Sequence, residues 1–257
     1  RPVRASKWRS LVRHLQSPVV STSSLPDTPA TLKPAAGRAE QHSTRLLFLL
    51  AGFAAAAWAS LVPVAKAATG VNEGQLGLVL LCLGIGSLLA MPVSGVVSTR
   101  HGCRKVLMVC GVALCACLPL LASVQNVFTL AAALFFFGAM IGTFDCVMNI
   151  QAVIVERDSK RPLMSGFHGF YSLGGLLGAA TTSTIMDLGV SPLATVSAIA
   201  LAGVLLLMGI RRHVLPYGNP AEGPPFALPR GEVLFLGMLC MTVFLVEGSM
   251  ICLLYTS

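Results

Sequence analysis

Charged side chains are scarce in this chain of 257 residues. The 18 basic and 10 acidic side chains amount to 11% of the sequence, whereas about a quarter of the residues in a soluble domain are charged. Hydrophobic residues reach 55%, and the mean hydropathy is +0.79. These values exclude disordered, collagen-like and coiled-coil classes and argue against a soluble enzyme core. A membrane protein with several spans is the class that remains.

Patterns that carry enzyme or metal chemistry are also missing. The eight cysteines form no CxxC pair and no cluster with histidine at metal-ligand spacing. Most of them lie in apolar runs, where cysteine behaves as a small hydrophobic residue. We find no nucleophile–base pair and no phosphate-binding loop. We therefore expect no metal, no cofactor, no disulfide framework and no enzyme activity.

The positive charge is concentrated near the N-terminus. Residues 1–45 hold eight basic and two acidic side chains, which is +6 of the net +8. This segment is rich in Ser, Thr, Pro and Ala and lacks helical periodicity, so we expect a polar, disordered tail. We do not expect nucleic acid as a partner, because that function needs a folded basic surface. No methionine precedes Met91, which indicates that residue 1 is not the natural start.

Charge-free stretches in the rest of the chain are long enough to cross a bilayer as helices, which takes about 20 residues. The gaps between charges predict six complete spans and the start of a seventh. A linker with five prolines, residues 211–230, separates the sixth span from the seventh. The six spans are expected at 46–65, 74–99, 106–122, 127–155, 162–186 and 188–210, and the seventh at 231–251.

The last six residues, 252–257, read CLLYTS, which matches one frame of a transposon end used to prepare sequencing libraries. We interpret them as an adapter scar, to be excluded from fold reasoning. Native sequence is then expected to stop near residue 251, within a helix. On this interpretation the chain is truncated and lacks the C-terminal half of the same protein as its partner.

Basic residues lie in alternate loops. The loops that follow the second, fourth and sixth spans carry Lys and Arg, whereas the opposite loops contain only Lys66. Short loops rich in Lys and Arg stay on the cytoplasmic side of a membrane. We therefore expect the N-terminus and these three loops to be cytoplasmic. Their basic residues include Arg100, Arg104, Lys105, Arg157, Lys160, Arg161, Arg211, Arg212 and Arg230.

The turn after the second span, GVVSTRHGCRK at residues 95–105, contains a recognisable motif. It resembles the loop motif of the major facilitator superfamily of secondary transporters: Gly, three residues, Asp, a basic residue, any residue, Gly and two usually basic positions. Gly95, Arg100, Gly102 and Arg104 match, whereas Thr99 stands in place of Asp. Gly95 is expected to allow close helix approach, and Gly102 a tight reversal.

Residues 145–156 and 164–178, with the pair Glu247-Gly248, are similar to a bacterial permease subgroup of that superfamily. The fourth-helix arginine and fifth-helix Gly-Pro of its drug–proton antiporters are missing, which favours solute permeation over drug efflux. The resemblance covers residues 45–251. It implies an all-α integral membrane fold, with a six-helix N-terminal bundle built as a 3+3 inverted repeat and the start of a second bundle. It also implies a multi-pass location in the bacterial cytoplasmic (inner) membrane.

Asp145 is the most informative single residue, because an intramembrane carboxylate costs about 2.5–3.5 kcal/mol on insertion scales and tends to face a cavity. It precedes Glu156 by 11 residues, which at about 1.5 Å each places it about 16 Å deep, near the midplane. Asn149, one turn later, and Glu156 share its helix face and suggest a polar stripe. Alternatively, Asp145 only satisfies a neighbouring helix through buried hydrogen bonds.

Two further residues are candidates for proton coupling. Glu247 lies 15 residues past Glu232 and is expected to reach the same central cavity, although a helix–helix hydrogen bond is an alternative role. His168, near the start of the fifth span, is either a proton relay or a hydrogen-bonded packing histidine.

The resulting hypothesis is a transporter that moves a small solute by alternating access, coupled to protons. Its partners would be that solute, protons and the lipid bilayer. The competing hypothesis is a non-transporting membrane sensor or scaffold with structural carboxylates.

Overall fold

The computed structural model describes residues 36–218, 231, 234–239 and 242. Within these residues the chain forms long helices and no strand, which confirms the predicted all-α class. A short 3-10 turn, Arg211–His213, follows the last of them. The six helices are α1 (Arg38–Thr69), α2 (Glu73–His101), α3 (Cys103–Ser123), α4 (Val127–Ser159), α5 (Met164–Asp187) and α6 (Pro192–Ile210).

The helices extend beyond the stretches that charge gaps predicted. α1 begins at Arg38, so residues 38–45 of the predicted tail are helical, whereas residues 1–35 lie outside the described part. A local cap explains this start, since the backbone N–H of Gly37 donates to Oε2 of Glu40 at 2.8 Å. A carboxylate in the first turn also suits the positive end of a helix dipole. Counting charges locates the apolar part of a helix and misses its polar turns.

Side-chain caps set the starts of α2, α4 and α6. Asn72, Asn126 and Ser191 each accept a hydrogen bond from the backbone N–H three residues later, which satisfies a group that the helix itself leaves unpaired. Asn126 thereby confirms the predicted break between the third and fourth spans. An ion pair between Lys66 and Glu73 joins the end of α1 to the start of α2.

Five of the six helices are long and apolar enough to cross a membrane, and α5 is not among them. α5 has 24 residues, but Gly, Ser and Thr lower its hydropathy. These small residues serve packing instead: a Cβ on Gly174 would stand 2.1 Å from the carbonyl oxygen of Leu49 in α1. The predicted fifth span is therefore present as a helix, and its low hydropathy reflects close packing against α1.

Two parallel helix pairs, α1 with α5 and α2 with α4, form the bundle. Glycines bring the backbones together in both pairs. A Cβ on Gly52 would lie 2.0 Å from the carbonyl oxygen of Tyr171, and one on Gly138 would lie 2.0 Å from that of Leu83. Exchanging the first three helices with the last three maps one pair onto the other, as a 3+3 inverted repeat requires. The close-contact glycines are Gly52, Gly174 and Gly178 in the first pair and Gly86, Gly138 and Gly142 in the second.

Apolar clusters fill the core toward both ends of the bundle. Near the start of α1, Phe48, Phe144 and Phe167 are fully buried together. Toward the other end, Trp58 packs on Phe137 with ring centroids 6.2 Å apart. We call the end that contains the start of α1, the α2–α3 turn, the α4–α5 turn and the end of α6 the basic end, after its Lys and Arg residues.

The two glycines Gly84 and Gly86 on α2 test this packing. Gly86→Ala places a methyl group about 2.0 Å from the carbonyl oxygen of Phe135 and should destabilise the fold by roughly 1–3 kcal/mol through overpacking. Gly84 faces open space among the described residues, so Gly84→Ala should be neutral or stabilise by up to about 1 kcal/mol through helix propensity. Thermal unfolding of the full-length protein in detergent measures both. Equal effects of the two substitutions would contradict the packing account.

Candidate functional site

Asp145 lies on α4 and is half-buried. Phe144, the preceding residue on the helix, is fully buried in the core. Asn149, one turn later, is also half-buried, and its side-chain amide donates to the backbone carbonyl of Asp145 at 2.9 Å. The carboxylate of Asp145 is therefore on the margin of the core, beside a polar residue of its own helix.

His168 comes next to this carboxylate from another helix. It is exposed on α5, and its ring contacts Phe48 of α1 edge-on, with ring centroids 5.2 Å apart. His168 and Asp145 are near enough for their charges to interact, although among the described residues they form no direct ion pair. The fold thus brings together two titratable residues that the sequence singled out separately, one on α4 and one on α5.

Arg45 adds a positive charge that sequence reasoning used only to mark the start of a span. It lies inside α1, one turn before Phe48, and its guanidinium carbon stands 5.9 Å from the ring centroid of Phe170 in α5. This distance suits a cation–π contact. In the sequence, Arg45 stands directly before the first predicted span. That α1 includes this residue could be inferred only from the Gly37–Glu40 cap.

Glu156 has a structural role that the predicted polar stripe did not anticipate. Its Oε2 accepts hydrogen bonds from the backbone N–H groups of Leu163 and Met164, both at 2.6 Å. The carboxylate thereby caps the first turn of α5 and ties it to the end of α4. Glu156 therefore belongs to this turn. Glu247, one of the predicted coupling residues, lies outside the described residues.

A buried glutamine, Gln151, was missed by sequence reasoning. It is fully buried on α4, where its Nε2 donates to the Thr44 hydroxyl of α1 at 2.9 Å. Its Oε1 accepts the backbone N–H of Leu215 at 3.2 Å. Buried amides need such partners because an unpaired one costs roughly 1–3 kcal/mol. One side chain therefore holds α1, α4 and the segment after α6 together.

That segment, residues 211–218, is packed against the bundle by the loop motif, and we call it the post-α6 segment. Arg104 donates from its guanidinium to the carbonyl oxygens of Val214 at 2.7 Å and Arg212 at 2.9 Å. Gly102 has a positive φ of 80°, and a Cβ there would stand 2.0 Å from the carbonyl oxygen of Pro216. Gly102 thus serves both the predicted reversal and a close backbone contact.

The predicted linker is accordingly fixed over its first residues. Val214 and Leu215 are buried, because the carbonyls around them find partners in the α2–α3 turn. Proline content alone gave no sign of this docking. Burial raises the pKa of Tyr217 in this segment, and the negative charges of Asp158 and Glu40 act in the same direction.

Gly95 and Arg100 are the other two residues that match the loop motif. Gly95 was expected to allow close helix approach, but among the described residues no atom lies within 4 Å of the Cβ position. Its carbonyl oxygen instead accepts the hydroxyls of Ser98 and Thr99, both at 2.9 Å. Arg100 is exposed. Of the four matching residues, Gly102 and Arg104 contact the post-α6 segment, and the backbone N–H of Cys103 between them donates to the carbonyl oxygen of Tyr217 at 3.4 Å.

Metal chemistry has no visible site in the described part of the chain, where no group of three or more His, Cys, Asp or Glu side chains could hold an ion. The six cysteines between Cys82 and Cys146 are free. What the geometry offers is a half-buried carboxylate and an imidazole on the edge of an apolar helix bundle. Such a set can bind or release protons and attract polar solutes.

Long apolar helices, glycine-packed pairs and an inverted repeat define a multi-pass membrane protein of the transporter type. The chain belongs to the Major Facilitator Superfamily, whose sequence model matches residues 46–257. It is 50% identical over 216 residues to an uncharacterized MFS-type transporter of Yersinia pestis, covering 84% of this chain and 56% of that protein. This confirms the resemblance found in the loop motif.

Two rhizobial proteins are also similar. An uncharacterized transporter of Sinorhizobium fredii is 31% identical over 207 residues, covering 79% of this chain and 54% of that protein. The membrane protein MosC of Rhizobium meliloti is 33% identical over 140 residues, covering 54% of this chain and 34% of that protein. The chain thus spans about half the length of the first two relatives and a third of the last.

The contact between Arg104 and the post-α6 segment gives a local prediction. Arg104→Gln removes two charge-assisted hydrogen bonds, so backbone amides of residues 211–218 should exchange with deuterium roughly tenfold faster. Arg100→Gln, four residues earlier on an exposed side chain, should leave that exchange unchanged. Hydrogen-exchange mass spectrometry on the full-length protein measures both variants. Unchanged exchange in Arg104→Gln would show that the guanidinium does not hold the segment.

Proposed function

We propose that this chain forms the N-terminal six-helix bundle of a transporter that moves a small solute by alternating access, coupled to protons. One observation carries the proposal: Asp145 and His168, from two different helices, lie on the margin of the core and near enough for their charges to interact. Ionisable groups are costly within a membrane and are kept where they face a cavity or a partner. A packing role would favour full burial, whereas Asp145 is half-buried and His168 is exposed.

Each candidate residue has a distinct role in this proposal. Asp145 accepts a proton from one side of the membrane and releases it to the other. His168 relays that proton, because imidazole changes charge near neutral pH. Asn149 offers a polar contact to the solute, and Glu247 supplies a second carboxylate from the seventh helix. Since this is transport, no catalytic residue is assigned.

The membrane orientation follows from the basic end. Its arginines and lysines favour the cytoplasmic side, which places the start of α1 in the cytoplasm of a bacterial inner membrane. The domain division that fits this orientation is a bundle at 46–210, a cytoplasmic linker at 211–230 and the start of a second bundle at 231–251. That second bundle is the proposed partner, and the solute site lies between the two bundles near the midplane.

The loop motif and Gln151 suggest how the two bundles stay coupled. Both hold the post-α6 segment, which follows α6 and is the first part of the linker. When one bundle rocks against the other, a linker anchored at this point moves with the first bundle. Arg104 would then fix the pivot on the cytoplasmic side.

The competing function is a membrane sensor or scaffold that does not transport. In that case Asp145 and His168 would serve only to hold α4 and α5 together. The absence of a direct ion pair between these two residues of the described part favours transport, because a purely structural pair gains most from direct contact.

Concentrative uptake in membrane vesicles tests the proposal. Vesicles that contain the full-length protein are screened with radiolabelled amino acids, sugars and carboxylates. At least one solute should accumulate, and an uncoupler should abolish the accumulation. Asp145→Asn should reduce accumulation by tenfold or more yet retain solute exchange, because an amide cannot carry a proton. Asp187→Asn, at the far exposed end of α5, is the matched control and should accumulate normally.

Two outcomes would contradict the proposal. No accumulation of any solute would support the sensor or scaffold. Normal, uncoupler-sensitive accumulation by Asp145→Asn would show that this carboxylate does not carry the proton.

A further inference from the structure

An apolar groove of about 660 Å³ opens between α2 and α3, with α4 as its floor; we call it the α2–α3 groove. Leu89 and Val93 of α2 are 60% and 54% exposed, and Val109 of α3 is 69% exposed. Exposed apolar side chains of this kind face lipid or a partner in a membrane protein.

A lysine and a histidine lie at the basic end of this groove. His101 ends α2, Lys105 is in the first turn of α3, and both are exposed on either side of Gly102. Lys105 makes no hydrogen bond or ion pair with the described residues, and the His101 ring donates only to the carbonyl oxygen of Val97, at 3.2 Å. A groove with an apolar body, an unpaired lysine and a hydrogen-bond donor at one end matches the chemistry of an anionic lipid.

The groove is also long enough to hold a lipid acyl chain. From His101 to Gly86, the lining of α2 covers 15 residues, which at about 1.5 Å each is about 22 Å. Half of a hydrocarbon core about 30 Å thick is about 15 Å. The groove therefore runs from the level of the headgroups past the depth that one acyl chain reaches.

The inverted repeat supplies an internal comparison. The equivalent groove lies between α5 and α6, with α1 as its floor, and has a volume of about 360 Å³. We call it the α5–α6 groove. Among the described residues no charged side chain lines it. Both grooves have an apolar body, so Lys105 and His101 distinguish the α2–α3 groove from the α5–α6 groove.

We propose that the α2–α3 groove binds one anionic phospholipid, with an acyl chain along α2 and α3 and its phosphate at Lys105 and His101. The unpaired Lys105 favours this occupant over a zwitterionic lipid, whose net charge is zero. It also favours an anionic lipid over an apolar helix of the same protein, which would leave Lys105 without a partner at the membrane surface.

Quenching of a tryptophan by brominated lipid tests this site. Val109→Trp puts the reporter in the α2–α3 groove of the full-length protein, and Ala202→Trp puts one in the α5–α6 groove at a similar distance from the basic end. Both are reconstituted with brominated phosphatidylglycerol or brominated phosphatidylcholine. The quenching measured for the unsubstituted protein, which contains Trp8 and Trp58, is subtracted from that of each variant.

The expected result is a preference for the anionic lipid at Val109→Trp of about fivefold, the contribution of one lysine near the membrane surface, and none at Ala202→Trp. Adding Lys105→Gln should remove most of this preference, whereas Lys105→Arg should keep it. Thermal unfolding shows whether each variant is folded. Equal quenching by the two lipids, or a preference that survives Lys105→Gln together with His101→Gln, would overturn the proposal. Absence of quenching by either lipid would show that protein covers the groove and would overturn it too.

Discussion

Close contact between helix backbones is the constraint on which the rest of this bundle depends. In lipid there is little hydrophobic gain from burying one apolar helix against another, so packing distance and shape decide which helices pair. Gly52 and Gly174 bring α1 to α5, and Gly86 and Gly138 bring α2 to α4. Because close glycine contacts act in each pair, the two pairs assemble in the same way. The helix faces that take no part in these contacts point outward.

The candidate site and the grooves both follow from that pairing. α4 turns its glycines toward α2 and its buried phenylalanines toward α1 and α3, which leaves Asp145 on the margin of the core. α5 turns Gly174 and Gly178 toward α1, which leaves His168 exposed. The grooves form where α3 and α6 stand away from these tight pairs. Polar chemistry therefore lies where packing does not need apolar side chains.

The sequence was sufficient for the class of fold and for most of its helices, because apolar length in a membrane follows directly from bilayer thickness. The break between the third and fourth spans was predicted because residues 106–144 are free of charge but too many for one crossing, and Ser, Gln and Asn interrupt them at 123–126. Contacts distant in sequence could not be predicted in this way. Gln151 reaches Thr44 and Leu215 across more than 60 residues, and Arg104 binds carbonyls more than 100 residues later. Glu156 looked like part of a polar stripe until the turn into α5 brought two backbone amides to it.

Access of water to position 145 is the measurement that tests the central claim most directly. Asp145→Cys is made in a full-length protein with its native cysteines replaced, and membranes of known sidedness receive an impermeant maleimide on one side or the other. The account predicts labelling from both sides, with Met148→Cys, fully buried one turn away, unlabelled as the control. A thiol at position 145 that stays unlabelled from both sides would contradict the account.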